Sequence, residues 1–227
     1  GGSQETWASF CVATKERFPH ITVFNLPCFG SEPCPSSVWG VAQYAAWVSK
    51  RIGEYCKVHP HARIVLVGHS FGGQVAAQLL STQAPKEVVG LVLLAPAIIR
   101  PARRVKRACF GIASAVLSIV GKPFPALRTF LYRVIGQQDY ARTSGIAKHI
   151  FQKVIREDLS SVVSKISVPT LLLWGAKDTQ TPLRHGKKIH ALLPHARFIV
   201  FPDARHGLHH QAQEELAQEM KTFIEKL

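Results

Sequence analysis

The sequence predicts an α/β fold: a mostly parallel sheet flanked by helices in a three-layer arrangement, with a helical insertion. Three observations carry this expectation. Short β-branched runs alternate with helical stretches along most of the chain, the pattern of a parallel sheet covered on both faces. A serine between glycines stands where one such run ends and a helix begins, in Val65-Leu66-Val67-Gly68-His69-Ser70-Phe71-Gly72-Gly73. Residues 101–168 break the alternation, with helical patterning and no strand-like run.

Taken in order, strand-like runs occur at His20–Asn25, Arg63–Val67, Val89–Ala95, Thr170–Trp174 and Arg197–Phe201. Between them lie the helical stretches Glu5–Arg17, Val41–Cys56, Ser70–Ser81 and Thr181–Leu193, and a last helix is expected from about Gln211 to Lys226. The run Ile64-Val65-Leu66-Val67 is short and uninterrupted, which predicts a strand buried on both faces. Ser70 then falls on a sharp strand-to-helix turn. Gly68 and Gly72 are expected to leave room for it, because a Cβ at either site would crowd the bend.

Within the interruption, Val105, Cys109, Ile112, Val116 and Ile119 fall on one stripe at helical spacing, with Arg103, Arg107, Ser114 and Ser118 opposite. A second stripe is Ile146, Ile150, Val154 and Ile155, with Lys148, Lys153 and Arg156 facing away. Two amphipathic helices inserted between strands are expected to form a cap over the carboxyl ends of the sheet. Ligands bind at those ends in open α/β folds.

The G-x-S-x-G pattern around Ser70 is a nucleophile elbow, which lifts a hydroxyl clear of the sheet. A serine of this kind needs a base and an acid to orient that base. The run Thr170–Trp174 leads into Gly175-Ala176-Lys177-Asp178, and the run ending at Phe201 leads into Pro202-Asp203-Ala204-Arg205-His206. The chain order is therefore Ser70, Asp178, His206.

With these residues placed, the chain resembles the α/β-hydrolase fold family, in its single-domain form with a helical cap. Gly1-Gly2-Ser3 followed by Glu5-Thr6-Trp7 resembles the tail of the H-G-x-G-G-S motif after the third strand. Asn25-Leu26-Pro27-Cys28-Phe29-Gly30-Ser31 resembles the D-L-P-G-F-G-x-S loop. Leu172-Trp174-Gly175-Asp178 resembles the acid loop, and Ala204-Arg205-His206 resembles A-G-H. Asn25, Cys28 and Arg205 depart from the family's Asp, Gly and Gly, and are read as loop variation. The resemblance implies a core formed by residues 1–100 and 169–227 and a cap formed by residues 101–168. It also implies that the first three strands of the fold lie outside this chain, so that the expected strand at Ile21–Phe24 finds no third strand to pair with.

The same resemblance assigns roles. Ser70 is the expected nucleophile, His206 the base that takes its proton, and Asp178 the acid that fixes the His206 tautomer. The backbone N–H of Phe71 is one oxyanion donor; the second is expected upstream of Gly1. His209 and His210 are rival bases, expected to open the last helix, and His69 is read as a packing residue pointing away from Ser70. Asp203 is the rival acid, read as a brace of its own loop. The function expected is hydrolysis of a carboxylic ester or related acyl compound through an acyl-enzyme. Carbon–carbon bond hydrolysis or acyl transfer with the same triad, or capture of a small ligand without turnover, are the alternatives. A serine at the elbow argues against dehalogenation and epoxide opening, which use aspartate there.

Composition narrows the rest. Apolar residues make up 47% and charged residues 19%, enough core and too little charge for a disordered chain. Cys11, Cys28, Cys34, Cys56 and Cys109 form an odd, scattered set without C-x-x-C. That pattern argues against a disulfide framework or a zinc site and fits a reducing, cytoplasmic setting. No metal, nucleotide or P-loop motif occurs, so no cofactor is expected. The net charge of +14 is uneven: no acidic residue lies between Glu87 and Asp139, where Arg100, Arg103, Arg104, Lys106, Arg107, Lys122, Arg128 and Arg133 fall. Such a field attracts anions without choosing among them. A small apolar acyl or ester substrate is the expected partner; nucleic acid is not, since aromatic stacking residues are missing near the cluster. An anionic membrane surface is the other contact this basic cap would suit.

Overall fold

The structure is a computed structural model that describes residues 3–100 and 145–227. In chain order the elements are α1 (Gln4–Ala13), α2 (Val41–Val58), β1 (Ile64–His69), α3 (Phe71–Thr82), β2 (Val88–Leu94), α4 (Gly145–Val154), β3 (Thr170–Gly175), α5 (Leu183–Leu192), β4 (Arg197–Phe201), α6 (Leu208–Gln211) and α7 (Gln213–Ile224). A single 3₁₀ turn at Val163–Lys165 precedes β3.

The four strands pair in the order β1-β2-β3-β4, every pair parallel. Parallel neighbours need crossover connections, and helices supply them. β2 and β3 are buried almost throughout, with Leu91, Val92, Leu93, Leu94, Leu171, Leu172, Leu173 and Trp174 all inaccessible to solvent. Their continuous apolar sequence is the signature of strands covered on both faces. β1 departs from that expectation. It is the outer strand of the described sheet, and Val67 is 37% exposed.

The expected strand His20–Asn25 is also corrected: these residues join no ladder, and His20, Ile21 and Thr22 are exposed. A strand is defined by its partner, and the outer edge of β1 pairs with nothing among the described residues. The last helix is divided, with α6 ending at Gln211 and α7 beginning at Gln213.

Helices cover the sheet in two groups. α2 packs on α3, and α3 on β1; Val41, Tyr44, Ala45, Val48 and Ile52 of α2 are buried at helical spacing. α1 joins α6 through Trp7 stacked on His209 at 4.5 Å and α7 through Gln213 Nε2 donating to Ser9 Oγ at 3.0 Å; just after α1, Arg17 pairs with Glu214. Gly90 of β2 lies under α7: a Cβ there would come within 2.6 Å of Leu227.

The second amphipathic stripe of the insertion is helical as expected. α4 buries Ile150 and Val154, while Lys148, Lys153 and Arg156 are exposed. The segment that follows is tied to the core: Gln74 Nε2 of α3 donates to the Glu157 carbonyl at 2.9 Å, and the Leu159 N–H donates to the Ile98 carbonyl at 3.0 Å. The first stripe, Val105 to Ile119, and the basic cluster beside it lie outside the described residues.

The bend between β1 and α3 has its own steric logic. A Cβ on Gly68 would stand 2.7 Å from the Gly72 carbonyl oxygen and from Gly73, and one on Gly73 would stand 2.7 Å from Pro96 Cβ and 2.9 Å from the Gly68 carbonyl oxygen. Gly72, expected to be crowded, has nothing within 4 Å of such an atom. It sits in the first turn of α3, so its side-chain position projects from the helix rather than into the bend. Gly73→Ala is therefore expected to destabilise the fold by about 1–3 kcal/mol through overpacking. Gly72→Ala is expected to be neutral or to stabilise by up to about 1 kcal/mol, as alanine does in a helix. Urea unfolding of the two variants measures the contrast.

Candidate active site

The expected residues lie on loops and turns at the carboxyl ends of the strands. Ser70 joins β1 to α3 with φ +52° and ψ −114°, a left-handed backbone that non-glycine residues rarely adopt. Neighbouring chains hold it there. The Ser70 N–H donates to the Leu94 carbonyl at 3.0 Å, and the Ser70 carbonyl accepts from Ala97 N–H at 3.0 Å and from Gln74 N–H at 3.1 Å. Phe71 is the first residue of α3, where a helix leaves its N–H groups without intrahelical partners.

β3 and β4 end side by side, Gly175 opposite Phe201. Their loops leave together, joined by Ala176 N–H to the Phe201 carbonyl at 2.9 Å and Lys177 N–H to the Ala204 carbonyl at 3.0 Å. A Cβ on Gly175 would come within 2.3 Å of the Arg205 carbonyl oxygen. Glycine is what lets the two loops approach this closely.

The approach brings Asp178 and His206 together, with Oδ2 2.7 Å from Nδ1. Because a carboxylate only accepts, Nδ1 carries the proton of this hydrogen bond. The Asp178 side chain is fully buried and that of His206 12% exposed. Asp178 Oδ1 accepts the Gln180 N–H at 2.8 Å and the Thr181 N–H at 2.9 Å. The Thr181 hydroxyl lies 2.8 Å from Oδ2, 3.2 Å from His206 Nδ1 and 3.2 Å from the Ala95 carbonyl oxygen. Burial pushes the Asp178 carboxyl up; the hydrogen bond and charge of His206, with the hydrogen bonds from Thr181, outweigh it and leave the group below its usual value. Asp203 is elsewhere, exposed and paired with Lys177 at 2.7 Å.

Asp178 and His206 are thus joined, and hydrogen bonding among the described residues does not extend to the Ser70 hydroxyl. What links the elbow to the histidine loop is His69. Its Nε2–H donates to the His206 carbonyl at 2.8 Å, and the two rings stand 4.7 Å apart. His69 packs, as expected, against the rings of His206 and His209, and this bond adds a polar tie to that packing. Neither His69 nor Thr181 carries a motif signal of its own.

His209, a rival base in sequence, is buried against Trp7 and 4.8 Å from the His69 ring. Burial, with the neighbouring His210 and His206, pushes it down to about 4; burial, with His206 and His209, pushes His69 down to about 3. Both are neutral near pH 7. Among the described residues no cluster of side chains could hold a metal ion.

The loop Asn25–Ser31 stands beside the elbow. Phe29 stacks on Phe71 at 5.6 Å, and Tyr44 meets the other ring edge at 5.1 Å. Here the reading that the cysteines do not pair is corrected: Cys28 and Cys34 form a disulfide. Their separation is six residues, and the turn between them brings the Cα atoms to 4.3 Å, a closeness that residue counting does not reveal. Cys28 has φ +70°, so the departure from the family's glycine keeps the glycine-like backbone.

Comparison with known proteins agrees with this architecture. Residues 1–219 match the model of the alpha/beta hydrolase family, and the chain belongs to that family. It is 28% identical, over 73% of its length and 46% of the relative's, to the dihydrolipoyllysine-residue acetyltransferase component of an acetoin cleaving system from Pseudomonas putida. It is 30% identical to a pimeloyl-[acyl-carrier protein] methyl ester esterase from Nitrosomonas europaea, over 64% of this chain and 65% of that one. The chain thus spans about half to two-thirds of these two relatives. Among solved structures, a bromoperoxidase from Bacillus anthracis superposes with a TM-score of 0.71 at 17% identity, covering 98% of this chain and 88% of that one; it shares the fold.

The buried histidines make stability depend on pH. Their folded values lie below the ordinary 6.5, so as pH falls from 6.5 the unfolded chain takes up protons that the folded one refuses. Their contribution is complete above about pH 6.5 and is lost progressively down to about pH 4 and 3, each group adding about 1.4 kcal/mol per pH unit. Asp178 adds a further loss as pH falls below the usual carboxylate range. Thermal unfolding should show Tm declining from pH 6.5 to 4.5, and His209→Phe should make the decline shallower. A Tm flat over that range would contradict two buried neutral histidines.

Proposed function

We propose that this chain is a serine hydrolase that cleaves a carboxylic ester or related acyl compound through an acyl-enzyme. One observation carries the reading: a serine on a left-handed strand-to-helix turn, beside a loop whose histidine is held in its Nδ1–H tautomer by a buried aspartate. In this mechanism Ser70 Oγ attacks the acyl carbon while His206 Nε2 takes its proton. Asp178 stabilises the imidazolium that forms, and the Phe71 N–H donates to the oxyanion. The proton passes from Nε2 to the leaving alkoxide, releasing the alcohol. Water, deprotonated by Nε2, then attacks the acyl carbon, and Ser70 recovers the proton as the acid departs.

The relative from Nitrosomonas europaea, named as a methyl ester esterase, favours an ester over a carbon–carbon bond as the scissile group. The substrate proposed is accordingly a small acyl ester.

A fluorophosphonate probe should label the protein at Ser70, and Ser70→Ala should abolish both labelling and p-nitrophenyl butyrate hydrolysis. Asp178→Asn should lower kcat by on the order of 10³–10⁴, since an amide no longer enforces the Nδ1–H tautomer. A folded protein that neither labels nor hydrolyses esters of graded chain length overturns the reading.

A further inference from the structure

We propose that Thr181 is a positioning residue for the Asp178–His206 pair, a role that rests on the serine-hydrolase reading above. Among the described residues, the Thr181 side chain is the one polar group that reaches the acid, the base and the end of a third strand together. Its Oγ1 lies 2.8 Å from Asp178 Oδ2, 3.2 Å from His206 Nδ1 and 3.2 Å from the carbonyl of Ala95, which follows β2. The residue is buried, 6% exposed. Its own backbone is fixed from β3, where Trp174 Nε1–H donates to the Thr181 carbonyl at 2.7 Å.

The two carboxylate oxygens of Asp178 are held differently. Oδ1 accepts two backbone N–H groups, from Gln180 and Thr181. Oδ2, the oxygen that faces His206, has among the described residues only the imidazole and the Thr181 hydroxyl. The carboxylate torsion is broad and soft, so two donors on one oxygen and a hydroxyl on the other fix its plane. The hydroxyl has a single proton to give. Donated to Oδ2, it holds that oxygen in line with Nδ1, and the Thr181 oxygen offers the Nδ1–H a second acceptor on the same side. Donated to the Ala95 carbonyl, it still leaves both oxygens facing that N–H. In either state the Nδ1–H tautomer is favoured, and Nε2 is kept as the base.

Thr181→Val preserves shape and removes the hydroxyl. The expected result is a fall in kcat on the order of 10-fold with KM changed less than about twofold, since the hydroxyl is buried against Asp178, His206 and the Ala95 carbonyl. The nitrogen-15 spectrum of the His206 ring should show the Nε2–H tautomer gaining population, where the native protein holds Nδ1–H. Thr181→Ser, which keeps the hydroxyl, should restore both readouts. Should the valine variant fail to fold, the contrast of Thr181→Ser with Thr181→Ala asks the same question. A valine or alanine variant with native kcat and an undisturbed Nδ1–H tautomer overturns the proposal, as does a serine variant no better than alanine. The tautomer is read without substrate. A native protein that hydrolyses no ester would therefore sink the serine-hydrolase reading while leaving the spectrum to decide on Thr181.

Discussion

The close approach of Gly68 to Gly73 is the constraint from which the site follows. With no Cβ on either residue, α3 begins directly against the end of β1, its first turn resting on Pro96 after β2. The chain then has one residue in which to reverse from strand to helix, and Ser70 takes that turn at φ +52°. Such a conformation costs on the order of 1–3 kcal/mol. It persists because the Ser70 N–H and carbonyl are bonded to Leu94, Ala97 and Gln74. The strain is thus anchored at the end of β2, in the residues just after it and in the first turn of α3.

The same economy of space governs the other half of the site. Parallel pairing puts the ends of β3 and β4 at one level, and Gly175 allows the two loops that leave them to touch backbone to backbone. Asp178 and His206, far apart in sequence, therefore meet across 2.7 Å inside the protein. His69 then closes the figure, giving its Nε2–H to the His206 carbonyl from the residue before the serine. Desolvation, with the neighbouring His206 and His209, pushes the His69 imidazole down to about 3, so it stays neutral near pH 7. That bond ties the elbow directly to the loop that carries His206.

Much of this was legible in the sequence, and what was not has physical causes. Strand–helix alternation located β1 to β4 within a residue or two, because parallel strands are apolar throughout and their helices amphipathic. The order Ser70, Asp178, His206 was readable because each follows a strand. The segment at His20–Asn25 misled, since β-branched composition reports a preference and a ladder needs a neighbour. Gly72 misled because the G-x-S-x-G pattern does not say which of two adjacent glycines points into the bend. Thr181 and His69 were invisible because each contact depends on how close two loops come, and the Cys28–Cys34 bond because it depends on how tightly one loop turns.

The loop before α2 shows how such closeness bears on the chemistry. Asn25 Nδ2 donates to Ser31 Oγ at 3.2 Å, the Tyr44 hydroxyl donates to the Pro27 carbonyl at 2.9 Å, and the disulfide ties Cys28 to Cys34. Gly30, with φ +55°, lies so near Asn25 that a Cβ would fall 2.4 Å from its amide nitrogen. These ties leave Phe29 little freedom, and its ring lies on Phe71 while Tyr44 closes on the same ring. A side chain held on two sides fixes its own backbone. The backbone that follows the serine is thereby held by packing from the neighbouring loop and α2, which would preorganise the Phe71 N–H as the proposed oxyanion donor.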